Sequence, residues 1–104
     1  MTDALVVFCT CQDQAQAHLV AEALIEARLA ACVNILSPLQ SIYRWQGKVE
    51  RAEETLLLIK TTPERFIALR ERIAELHSYE TPEIIAVPVA DGSQKYLSWL
   101  REQV

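Results

Sequence analysis

The chain has 104 residues, 51% of them hydrophobic, with only 2 glycines and 4 prolines, which excludes a linker or a disordered tail and sets the expectation of one globular domain over 1–104. Fourteen acidic residues against ten basic ones leave a formal net charge of −4, and the basic residues are scattered, so no nucleic-acid partner is expected. With no basic leader, no apolar run of about twenty residues and an odd count of 3 cysteines, the reading is a soluble cytoplasmic protein with reduced thiols and no membrane partner.

In chain order, the continuous apolar run from Ala4 to Cys9 reads as a strand covered on both faces. Asp13 followed by Gln16 forms the pattern of a capping box, and Ala17, Val20, Leu24, Ala27 and Ala31 recur at helical spacing, which predicts a helix over 14–29. Cys32 to Leu36 and Ser41 to Trp45 are strand-like and separated by Pro38, as an edge strand with a break would be. Gln46-Gly47 supplies a turn into an apolar strand over 54–61, read as central.

Thr62 as N-cap and Pro63 in the first turn open a second helix with the stripe Phe66, Leu69, Ile73 and Leu76, ending before Pro82. A fourth strand over 83–89 carries the edge-type Pro88, and Asp91-Gly92-Ser93 turns into a short helix presenting Tyr96, Leu97 and Leu100. The order β-α-β-β-α-β plus a helix, with right-handed crossovers, specifies an α+β ferredoxin-like sandwich with strand order 4-1-3-2. Both helices then lie on one sheet face, yet the strands are apolar at nearly every position, so the second face calls for self-association.

Five segments carry a family resemblance: Ala30-Ala31-Cys32-Val33-Asn34-Ile35; Ser41-Ile42-Tyr43-Arg44-Trp45-Gln46-Gly47-Lys48 followed by Glu53-Glu54; Leu58-Ile59-Lys60-Thr61-Thr62; His77-Ser78-Tyr79-Glu80-Thr81-Pro82-Glu83-Ile84-Ile85; and Tyr96-Leu97-Ser98-Trp99. Together they resemble the CutA divalent-cation tolerance family over almost the whole chain. The resemblance implies a ferredoxin-like protomer, a homotrimer joined through edge strands around the long hairpin, and a link to divalent metal, copper above all. It also implies Cys9 and His77 as metal ligands and no catalytic residues. Some members carry an adjacent histidine pair; here Leu76 stands at the other position, so that pair cannot form.

Copper favours thiolate and imidazole, and Cys11 shares the face of Cys9 on a regular strand. The plainer readings are that Cys9, Cys11 and Cys32 are small core residues, that His77 is a surface histidine at a helix end and that His18 is solvated. Glu53, Glu54, Glu80 and Glu83 offer further oxygen donors but are ordinarily solvent-facing. Three other functions are weighed. A Cys-His enzyme needs a lowered thiol pKa and contact between Cys9 and His77. A small-ligand signalling trimer resembling the nitrogen-regulatory proteins shares the fold, but its nucleotide-binding residues have no counterpart here. An RNA-recognition module lacks the aromatic residues it needs where Leu56, Leu57, Leu58 and Ile59 stand.

Overall fold

The computed structural model describes residues 2–104. The elements run β1 (Leu5–Cys11), α1 (Gln14–Glu26), β2 (Cys32–Trp45), β3 (Lys48–Thr61), α2 (Pro63–Leu76), β4 (Ile85–Pro88) and α3 (Gln94–Gln103). The sheet has the order β2-β3-β1-β4 with every neighbouring pair antiparallel. This is the expected α+β topology, with β1 and β3 central and both strand prolines on edge strands, where no ladder hydrogen bond is lost.

α1 begins as the sequence implies: the Gln16 amide donates to the Asp13 carboxylate at 2.9 Å, satisfying one of the free first-turn N–H groups. The reciprocal half of the capping box does not form. The Gln16 side chain turns to the end of α2, donating to the Leu76 carbonyl at 3.2 Å and accepting from the Ser78 amide at 3.0 Å. α1 also stops at Glu26, short of the expected 29. Arg28 takes a left-handed φ of 57°, Leu29 N–H reaches Leu24 O and Arg28 N–H reaches Ile25 O, the paired bonds that close a helix C-terminus. Ala27 is accordingly exposed, and the buried stripe is Ala17, Val20, Ala21 and Leu24.

The expected break at Pro38 is a bulge within one continuous β2. Its pairing with β3 slips between Leu36 and Leu39, so the proline sits where no partner bond is required. β3 begins at Lys48 rather than 54, giving two arms of 14 residues each. Their turn places Gln46 and Gly47 at φ of 51° and 81°, the left-handed pair that matches hairpin twist. β4 is shorter than the expected 83–89. Beyond it, Val89 N–H still bonds Ala4 O at 3.0 Å. Thr62 caps α2 through its extended backbone without a side-chain bond, and Pro63 in the first turn forfeits an N–H that has no helical acceptor.

Strand alternation sorts the sheet into two faces. Toward the helices, Val7, Cys9 and Cys11 of β1 and Leu57 and Ile59 of β3 are fully buried with Val20, Leu24, Leu69 and Ile73. Each fully buried aliphatic side chain stabilises by about 1.5–3 kcal/mol. Away from the helices, Val6, Phe8, Leu56 and Leu58 are only half-buried, and Leu36, Ile85 and Val87 are exposed. α3 forms a separate small cluster in which Leu97 and Leu100 pack with Ala4. Tyr96, expected on its apolar face, is instead exposed and lies beside Trp99 with ring centroids 5.5 Å apart.

Candidate metal centre

The C-terminal end of β1 gathers chemistry on both sides of the sheet. Cys9 and Cys11 alternate with Thr10, so the two thiols turn toward the helices while Thr10 faces the other way. α2 ends at Leu76, and His77 follows with an extended backbone at φ −73° and ψ 142°. That change of direction lowers the imidazole against the end of β1. One donor atom each from Cys9, Cys11 and His77 lies within 4.8 Å of the others, and all three residues are buried. His77 retains 9% exposure, so the surface-histidine reading is overturned: the imidazole is part of the packed end of the core.

Hydrogen bonds fix the ring. Nδ1 of His77 accepts from the Tyr79 amide at 3.0 Å, which requires that nitrogen to be unprotonated, so Nε2 carries the hydrogen and donates to the Thr10 carbonyl at 2.8 Å. Cys9 is a thiol: its Sγ donates to the Thr10 carbonyl at 3.9 Å, and the neighbouring Cys11 sulfur together with burial raises its pKa far above the ordinary value. The proximity of the Cys9 thiol lowers the pKa of Cys11, against the opposing effect of burial. A protonated Cys9 lacks the lowered pKa that a Cys-His nucleophile requires.

Two sulfurs and one nitrogen form a soft donor set suited to copper, zinc or a similar ion and poorly suited to calcium or magnesium. Donor atoms bound to one ion at about 2.3 Å in tetrahedral geometry stand about 3.8 Å apart, so the cluster closes on an ion with a contraction of at most about 1 Å. The other sequence candidates lie elsewhere. Cys32 is half-buried on β2, and His18, Glu53, Glu80 and Glu83 are exposed. Cys9, Cys11 and His77 are the one such cluster among the described residues.

On the opposite side, Thr10 forms part of a cleft of about 570 Å³ with Glu54, Tyr79 and the β2 arm. Glu54 is buried to 7% exposure and accepts from the Tyr79 hydroxyl at 2.6 Å. Burial foremost, and then the bond to Glu54, push the Tyr79 pKa above its ordinary value. The sequence offered Glu54 only as one acid among several and gave Tyr79 no role. Their separation of 25 positions carries no periodic signal, and only the pairing of β3 with β1 beneath the loop after α2 joins them.

Residues 5–103 match the model of a family described as CutA1 divalent ion tolerance protein. The chain belongs to this family. A CutA relative from Thermus thermophilus, called a divalent-cation tolerance protein, is 54% identical over 97 residues, covering 93% of this chain and 94% of the relative. The solved CutA structure from Xylella fastidiosa superposes with a TM-score of 0.96 at 42% identity, covering 98% of both chains. A further CutA structure, from Archaeoglobus fulgidus and described there as a periplasmic divalent cation tolerance protein, gives 0.93 at 37% identity over 96% of this chain and 97% of that one. The names of the Thermus and Archaeoglobus proteins describe tolerance of divalent cations, and none of the three states a reaction. No helix among the described residues is long and apolar enough to cross a membrane.

Proposed function

We propose that this CutA-family chain protects against or reports divalent metal by binding copper or a similar thiophilic ion at Cys9 and His77, with Cys11 as the adjoining donor. The observation that carries the reading is the meeting of three buried soft donors within 4.8 Å at the end of β1. When bound there, the ion supplies a positive charge that favours deprotonated thiols. Cys9 gives up its proton, and His77 turns a nitrogen from its present partner, the Thr10 carbonyl or the Tyr79 amide. Binding therefore releases protons and strengthens as pH rises, because protons and metal compete for these donors. The role is binding rather than catalysis, consistent with a Cys9 thiol held protonated.

The working unit is a homotrimer of single domains spanning 1–104 in the cytoplasm. The apolar sheet face that no helix covers supports self-association, since Leu36, Ile85 and Val87 lie exposed around half-buried Phe8 and Leu58. Native mass spectrometry of the reduced protein, with and without one equivalent of copper per chain, tests both parts. A trimer that retains copper, and loses it in Cys9→Ala or His77→Ala, is the expected result. Copper retained equally by both variants sinks the site, and a monomeric mass sinks the assembly.

A further inference from the structure

The three donors of the thiol and imidazole cluster all come from one protomer. Cys9 and Cys11 point to the helix face of the sheet, and His77 meets them there from the end of α2, on the side away from the uncovered face. Self-association through that face leaves this donor set as it is. The surroundings of the sulfurs are apolar. Both cysteines have 0% exposure and belong to the core cluster of Ala17, Val20, Leu69 and Ile73, with Leu76 packed against it. No carboxylate and no further cysteine or histidine joins the three among the described residues.

Few donors and an apolar wall narrow the choice of ion. Zinc in protein sites takes four ligands, and copper(II) prefers a tetragonal set of nitrogen and oxygen donors. Either would have to complete its coordination with a carboxylate or water, and the side chains packed around these sulfurs bring no oxygen. Copper(I) is softer than both, is selected by thiolate, and accepts a low coordination number. Charge acts in the same direction, because a net charge in apolar surroundings is costly. One thiolate neutralises a monovalent ion while the second sulfur stays a thiol. A divalent ion is neutralised only when both neighbouring buried sulfurs have lost their protons. We propose that the centre formed by Cys9, Cys11 and His77 selects a soft monovalent cation, copper(I), over divalent ions, and that Cys11 sets this preference. The proposal rests on the cluster being a metal site and names the charge and class of its ion. Without Cys11, one sulfur and one nitrogen remain, a set that borderline divalent ions also use.

The test is an anaerobic titration of the assembled, reduced, metal-free protein with copper(I) and, separately, with zinc(II), each against a competing chromogenic chelator, followed by X-ray absorption of the bound ion. The expected result is one copper(I) per chain with two sulfur neighbours, and no zinc(II) held at micromolar concentration. Cys32→Ala leaves copper(I) binding unchanged, since that half-buried thiol on β2 stands outside the cluster. Losing a hydrogen-bond partner of a ligand already costs about 10- to 100-fold in metal affinity, so Cys11→Ala, which removes a ligand, weakens copper(I) binding by about 100-fold or more. Equal copper(I) affinity in wild type and Cys11→Ala overturns the proposal, as does a single sulfur neighbour. Should Cys11→Ala fail to fold, the neighbours seen in the wild type and the zinc titration decide. Zinc(II) retained through Cys9 and His77 as tightly as copper(I) overturns the selectivity and leaves the metal centre standing, whereas retention of neither ion removes both.

Discussion

The two faces of the sheet are built from the same kinds of residue and meet different fates. On the helix face, Val7, Cys9, Leu57 and Ile59 are sealed by α1 and α2. On the other face, Val6, Phe8, Leu56 and Leu58 stand in the same strands at the alternate positions and remain half-buried. Polar chemistry follows the division: the buried thiols and imidazole lie on the sealed side, while the carboxylates and aromatic rings line a cleft on the open side. Apolar content alone therefore does not define this core. What defines it is which face a helix covers, and the uncovered apolar face is the one that the proposed assembly would bury.

Adjacent leucines put this difference to the sharpest test. Leu57→Asp inserts a charge without a partner among fully buried side chains, at a cost of about 4–5 kcal/mol or more, enough to abolish folding of a domain this size. Circular dichroism should show an unfolded chain. Leu58→Asp, one residue along but on the open face, should leave the protomer folded and destroy assembly, read as a fall from trimer to monomer mass in analytical ultracentrifugation. A folded Leu57→Asp, or a Leu58→Asp trimer of wild-type size, would erase the distinction between the faces.

Much of this division was legible in the sequence. Continuous apolar runs marked the central strands, Pro38 and Pro88 marked the edges, and the unbroken hydrophobicity of β1 and β3 implied a second covered face. The strand period also placed Cys9 and Cys11 side by side. What remained hidden depended on exceptions to local rules or on contacts distant along the chain. The end of α1 is closed by a left-handed arginine where glycine is the usual signal, so periodicity alone ran on to 29. The proline in β2 became a bulge because an edge strand can slip by a residue without losing its ladder. His77 read as a surface residue because a helix end usually is one, and its burial follows from the extended step that turns it onto β1.

The smallest expected effect concerns the link between the faces, where one residue serves both. The Tyr79 amide holds the His77 ring on the sealed side, and the Tyr79 hydroxyl holds Glu54 on the open side. Tyr79→Phe removes only the second of these, leaving a buried carboxylate without that donor, and should cost about 1–3 kcal/mol at neutral pH. The phenol pKa is raised in the folded protein, so the unfolded chain releases this proton first as pH rises. The stabilisation from the hydroxyl is thus complete below its ordinary pKa near 10 and is lost progressively above it. Denaturation profiles of wild type and variant should converge above about pH 10. Cys9 and Tyr96, whose pKa values are also raised, titrate in both proteins and cancel from the difference. A gap that stays constant into the alkaline range would mean that the lost packing of the hydroxyl, and not its proton, ties the open face to the sealed one.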